Sequence, residues 1–208
     1  MSLRHYKPAL FLALLALSAA LILASLDRVT RDRIALEQDR RALAALTEVL
    51  PADRFDNEMA RDWIQMHLPG LDQPARVYRA RLNGAPTATI TDLSNPGGYS
   101  GDVRLLVAAE LDGTVIAVRV LDHRETPGLG DKIETRRSDW IKQFTGRSLG
   151  DPPAERWAPD RRGGDFDGLS NATITAGAVI DAVRLALEGL EQAGEALWQP
   201  SAYNEHLH

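Results

Sequence analysis

The chain has no cysteine in its 208 residues. That absence excludes disulfides, a thiol nucleophile, a cysteine-ligated iron–sulfur cluster, a CxxCH haem attachment and a lipid-bearing cysteine. Any electron carrier held here is therefore organic or a histidine-ligated haem. Basic residues are in deficit: 24 Lys+Arg stand against 29 Asp+Glu, a net charge of -5, and a nucleic-acid-binding face needs the opposite sign. Histidine is scarce. His5, His67, His123, His206 and His208 form no HExxH pair, so no metal centre is expected. No internal repeat or low-complexity tract occurs. What is present is ordinary for a folded protein, 44% hydrophobic and 25% charged, with room for one core-bearing domain plus an anchor.

One long uncharged run stands out, from Pro8 to Leu26. About 20 apolar residues span a bilayer core as a helix, and Pro8 suits a first helical turn. Arg4 and Lys7 precede the run, and Asp27, Arg28 and Arg31 follow it, so local charge does not decide orientation. Ser18-Ala19-Ala20 also offers a signal-peptide cleavage site, but a cut there exposes Leu21-Ile22-Leu23. An uncleaved anchor is the expectation. The chain then divides into an N-terminal tail (1–7), a transmembrane helix (8–26), an amphipathic linker helix (27–50) and a domain (51–208). In the linker, Val29, Leu36, Leu43 and Leu50 recur every seven residues, with Leu46 and Val49 nearby, and Pro51 ends the pattern. Asp32 and Asp39 weaken a coiled-coil seam, which favours packing on the chain's own domain.

Residues 76–123 read as strands. Arg76 to Leu82 alternates and Asn83-Gly84 can turn. Val103–Leu111 and Thr114–Leu121 flank Asp112-Gly113, a dipeptide suited to a two-residue hairpin turn. Ile116, Val118 and Val120 are expected on one apolar face. Ser138 is placed to cap a short helix through Phe144 that buries Trp140, Ile141 and Phe144. Residues 146–168, rich in Gly, Pro and Asp, read as surface loop. A last helix is expected from Ala176 to about Leu197, with Val179, Val183, Leu187 and Leu190 on one stripe. The mixture predicts an α+β fold with an antiparallel sheet.

Two stretches carry candidate chemistry. The first, residues 123–132, has a proline and two glycines that set a tight path and allow a ligand close to the backbone. Glu125, Thr126 and Lys132 offer an acceptor, a hydroxyl and a cation there; equally, such residues can simply face water. The second runs from Asp167 to Thr175, just before the last helix. Thr173 or Thr175 can cap that helix, yet the same free N–H groups and the positive end of the dipole also seat a phosphate. Asp165 and Asp167 suggest a weaker alternative, a paired-carboxylate hydrolase.

These segments carry a resemblance. Ser170-Asn171-Ala172-Thr173-Ile174-Thr175, preceded by Asp167, resembles the Ser/Thr-Gly-Ala-Thr flavinylation motif of FMN-binding domains. Gly98-Tyr99-Ser100-Gly101, the hairpin after it and Glu125-Thr126-Pro127-Gly128-Leu129-Gly130 follow the order seen in the G subunits of Rnf-type complexes. The C subunit of the sodium-pumping NADH:quinone reductase is similar but longer.

The resemblance implies FMN joined by a phosphodiester to Thr173, installed from FAD by a separate magnesium-using flavin transferase. Ser170, Asn171, Ala172, Thr175, Glu125, Thr126, Gly128, Leu129 and Lys132 would surround it. It further implies an electron relay beside other membrane and peripheral subunits, anchored once in a bacterial inner membrane with its domain in the periplasm. Asn171 departs from the common glycine, although Asn tolerates the left-handed backbone region. The competing reading is a non-redox anchored module that binds a partner through 123–132 and uses 170–175 only as a helix cap.

Overall fold

The computed structural model describes Ala16 and residues 43–199. The expected anchor at 8–26 and most of the linker helix lie outside the described residues. Among the described residues, no helix is long and apolar enough to cross a membrane. The chain divides into two units, Met1–Ala42 and Leu43–His208; the sheet, the long helix and the cleft all belong to the second.

Five strands form one antiparallel sheet in sequence order: β1 (Trp63–Met66), β2 (Ala75–Leu82), β3 (Ala85–Asn95), β4 (Val103–Glu110) and β5 (Val115–Asp122). At the β2–β3 turn both central residues are left-handed, Asn83 at φ 53° and Gly84 at φ 78°. That geometry matches the twist of paired strands.

The β4–β5 turn differs from expectation. Glu110 N–H donates to Thr114 O at 2.8 Å, so the loop is Leu111-Asp112-Gly113, and of these only Gly113 has a positive φ. The register also shifts at Ala108/Ala109, which places Ile116 and Val118 on opposite faces. Val118 joins the core beneath the long helix, whereas Ile116 packs on the other side. The even apolar alternation of β5 is therefore broken by a bulge. β1 has no counterpart in the sequence reading, since four residues, three half-buried and Gln65 exposed, are too few for alternation to register.

Both faces of the sheet are covered. Val77, Leu93, Leu105 and Val107 pack beneath α1 (Thr173–Ala193), which contributes Val179, Ile180, Val183 and Leu187. Tyr78, Ala80, Ile90 and Leu106 face Leu46, Val49, Leu50 and Met59. Residues 43–49 are helical, and Leu43 is 40% exposed while Leu46 and Leu50 are buried. The stripe at 46, 49 and 50 is the spacing of a helix packed on a surface, and each such aliphatic side chain stabilises by about 1.5–3 kcal/mol. Burial on both faces is why β4 reads as the apolar run Leu105–Ala109 instead of alternating.

Around this frame the irregular segments are anchored by aromatics. Ser138 Oγ accepts from Trp140 N–H at 3.0 Å before a short 3-10 helix, Trp140–Phe144. The N-cap is instead Asp139, without a side-chain cap, and of the three residues expected to be buried Trp140 is only half-buried. The stretch 146–168 is not simply surface loop: Trp157 and Phe166 are buried, their rings 4.7 Å apart, and Phe166 lies 5.1 Å from Phe144. α1 begins at Thr173, three residues before the predicted start, and ends at Ala193, where a 3-10 turn (Gly194–Trp198) takes over.

Candidate functional site

The entrance to α1 is built by local backbone chemistry. Asn171 sits at φ 64°, the left-handed region that its short polar side chain tolerates. Ala172 is the N-cap residue, and no side chain caps the helix. Ala172 O accepts the first helical bond, from Ala176 N–H at 3.0 Å. The N–H groups of Thr173, Ile174 and Thr175 have no acceptor among the described residues, as the first turn of a helix requires. The expected capping by Thr173 or Thr175 is thus absent.

The two threonines have different fates. Thr173 is half-buried in a cleft. Thr175 is fully buried, and its hydroxyl donates to Glu125 Oε2 at 2.6 Å. Glu125 is itself only 6% exposed, and its Oε1 accepts from Ser100 N–H at 3.2 Å. Its own N–H donates to His123 Nδ1 at 3.1 Å. That leaves the ring proton on Nε2, which donates to Glu134 Oε1 at 2.9 Å. The Arg136 guanidinium, helped by His123, holds the Glu134 carboxyl below its ordinary range.

Glycines make this convergence possible. A Cβ on Gly130 would lie 2.8 Å from Glu125 Cβ and Oε2 and 3.2 Å from Thr175 Oγ1. One on Gly98 would lie 2.8 Å from Glu125 Oε1 and 2.3 Å from Gly101 O. The segments Gly98–Gly101, Glu125–Gly130 and Asn171–Thr175, far apart in sequence, therefore meet around one carboxylate. Thr126 O accepts from the N–H groups of Leu129 and Gly130, each at 3.1 Å, and Gly128 N–H donates to Asp131 Oδ1 at 2.8 Å. The turn is held from within.

These segments line a cleft of about 510 Å³. Seven predicted site residues face it: Glu125, Thr126, Leu129 and the run of Asn171, Ala172 and Thr173, with Thr175 at its floor. Three do not line it. Ser170 is exposed just outside, Gly128 shapes the turn at φ 80°, and Lys132 is exposed on a 3-10 turn (Gly130–Ile133). The cation in the cleft is Arg161, which sequence reasoning missed together with the lining roles of Tyr99 and Ile174.

Arg161 arrives on a loop with no periodic signal. Asp160 Oδ1 fastens that loop by accepting from Gly168 N–H at 3.1 Å. Trp140 Nε1–H donates to Asp167 O at 2.7 Å, and Asp167 N–H donates to Gln143 Oε1 at 2.7 Å. Asp165 does not suit acid catalysis: its pairing with Arg156 pulls the carboxyl below the usual range, whereas a general acid needs it raised.

The cleft combines a hydroxyl, unpartnered N–H groups, an arginine and an apolar rim in which Tyr99 is 70%, Ile174 46% and Leu129 38% exposed. Donors at a helix N-terminus suit a phosphate, and flat apolar walls suit an aromatic ring. The residues fit a phosphorylated heterocycle. A second cleft of about 490 Å³ lies at the far end of α1, but Glu110, Asp112, Glu191 and Glu195 line it and no basic residue does. Its charge has the wrong sign for phosphate.

Residues 98–188, which include the cleft lining, match the FMN-binding domain family. Over nearly its whole length the chain is also similar to proteins named as the G subunit of an ion-translocating oxidoreductase complex. It is 41% identical over 203 residues to that of Pseudomonas aeruginosa, covering 96% of this chain and 95% of the relative. Against that of Escherichia coli it is 40% identical over 181 residues, 86% and 88% of the two chains. Against that of Vibrio atlanticus it is 38% identical over 193 residues, 92% of each. The chain belongs to this family of G subunits.

Proposed function

We propose that this chain is the electron-relay subunit of a membrane-bound, ion-translocating oxidoreductase and carries FMN esterified through its phosphate to Thr173. One observation carries the choice of acceptor. Thr173 lies half-buried in the cleft, whereas the Thr175 hydroxyl is fully buried and committed to Glu125. A hydroxyl already donating inside the core is not available for esterification.

The attachment balances as a phosphoryl exchange. The Thr173 oxygen bonds to the flavin-side phosphorus of FAD, the anhydride bond breaks, and AMP leaves. The hydroxyl proton goes to a base of the flavin transferase, because an unassisted threonine is a weak nucleophile.

The chain's residues then have separable roles. The N–H groups of Thr173, Ile174 and Thr175 and the Arg161 guanidinium would hold the phosphate charge. Tyr99, Leu129 and Ile174 would supply apolar surface to the ring. Bound FMN supplies one- and two-electron exchange; the protein's task is to hold and tune it. A covalent tether also prevents loss of the cofactor outside the cytoplasm. With this role we infer residues 8–26 to be a single inner-membrane anchor, 27–50 a linker and 51–208 a periplasmic domain. Partner subunits of the complex would exchange electrons with it.

The test is co-expression with a flavin transferase, then denaturing-gel fluorescence and peptide mass mapping. Wild-type chain should gain the mass of one FMN less water on the peptide holding Thr173. Thr173→Ala should fold with an unchanged melting temperature and give a dark band. A fluorescent Thr173→Ala band would overturn the assignment.

A further inference from the structure

Two threonines stand two residues apart in the first turn of α1, and positions i and i+2 do not share a helix face. The rotational setting of that turn therefore decides which hydroxyl is open and which is buried. No side chain caps that turn, and the backbone bonds that reach outside the helix there are Ala172 N–H to Leu169 O at 3.1 Å and Ala176 N–H to Ala172 O at 3.0 Å. Thr175 adds a contact from outside the helix, donating at 2.6 Å to a residue 50 positions away in sequence.

The acceptor of that bond is a fixed post. Glu125 is held by Ser100 N–H on one oxygen and by its own N–H to His123. Gly98 and Gly130 close around it so tightly that a methyl group on either would approach within 2.8 Å. Among the described residues no cation pairs with this carboxylate; its side-chain partners are the Thr175 hydroxyl and the Ser100 amide. A hydroxyl bonded to a carboxylate is held more firmly than one bonded to a neutral group.

We propose that Thr175 is a positioning residue for flavin attachment. Its bond to Glu125 sets the rotation of the first turn so that Thr173 Oγ faces the incoming phosphorus, while Thr175 is withdrawn as a competing acceptor. This rests on Thr173 being the FMN acceptor, and it assigns Thr175 to the acceptor's geometry instead of to contact with the cofactor.

The test uses the full chain co-expressed with, or treated by, a flavin transferase and FAD. The initial rate of in-gel fluorescence is read for wild type, Thr175→Val and Thr175→Ser, with a melting temperature for each. Valine keeps the shape and removes the hydroxyl; serine restores it. Thr175→Val should label at least about tenfold more slowly, the effect of losing a bond to a buried charged group. Thr175→Ser should return to within about twofold of wild type, a rescue that follows the hydroxyl and not the volume. The loss should fall on turnover, with the KM for FAD unchanged.

Equal labelling of Thr175→Val and wild type overturns the proposal, and so does a serine variant as slow as the valine one. If Thr175→Val is unfolded at the assay temperature, Thr175→Ala replaces it. It also lacks the hydroxyl that reaches Glu125, so labelling should slow; a wild-type rate overturns the proposal. Failure of the underlying reading looks different: wild-type chain would then carry no FMN on Thr173 at all.

Discussion

The two ends of α1 face clefts of similar size and opposite character. At the N-terminal end, unbonded N–H groups, Arg161 and the Thr173 hydroxyl look into about 510 Å³. At the other end, Glu110, Asp112, Glu191 and Glu195 look into about 490 Å³. The helix has 21 residues, so the ends lie about 30 Å apart. Its dipole is positive at the first end and negative at the second. Four carboxylates and no basic residue line the second cleft, whereas Arg161 and the single carboxylate of Glu125 line the first. Volume alone does not distinguish them. The placement of donors does.

Gly130→Val should disturb that contrast most. Its side chain would start 2.8 Å from Glu125, and overpacking of this kind costs about 1–3 kcal/mol. A melting scan should show a fall of about 2–4 °C per kcal/mol for a domain of this size, and FMN attachment should drop with it. Labelling that survives intact would mean that the Glu125 post does not shape the cleft.

Charge reversal compares the ends directly. Arg161→Glu should slow flavin attachment about five- to tenfold, because a cation beside the phosphate becomes an anion; helix-end charge effects of up to about 2 kcal/mol set this scale. Glu195→Lys, exposed at the far end, should leave attachment unchanged. Measured in parallel by gel fluorescence, equal responses would erase the distinction between the two ends.

The smallest effect is a pH dependence on the N-terminal side. Glu134 is lowered on folding, chiefly by Arg136, so it stabilises the fold above the ordinary carboxylate pKa of about 4.3. That contribution is lost as pH falls through the lower folded value. In melting temperatures recorded from neutral to strongly acidic pH, Glu134→Gln should start slightly below wild type at neutral pH and meet it at strongly acidic pH, losing that part of the acid decline. An identical acid limb in both proteins would remove Glu134 from the account.

Much of the sheet is legible in the residues alone. Asn83-Gly84 turns as its residue types demand, and the β4–β5 hairpin exists where its strands and turn dipeptide put it. Its details are not legible: the three-residue loop and the bulge at Ile116 depend on register between strands, which no single strand specifies. The stretch 146–168 departs from its surface-loop reading for a related reason. Its many Gly, Pro and Asp residues describe an irregular backbone correctly, but the burial of Trp157 and Phe166 depends on Phe144 in another segment. Arg161 is carried out of view by the same loop, and Lys132, the cation visible in the sequence, lies outside the cleft lining.

The sequence by itself determined the local chemistry at the α1 entrance: an asparagine able to take a left-handed conformation, a glycine-lined turn at 128–130, and hydroxyls beside free amides. These follow from steric limits on a few adjacent residues. Only the tertiary structure decided which hydroxyl is left open, because Thr175 is claimed by Glu125 from across the fold. A bond spanning 50 residues has no trace in local composition, and it is the bond that separates the buried Thr175 donor from the half-buried Thr173 hydroxyl.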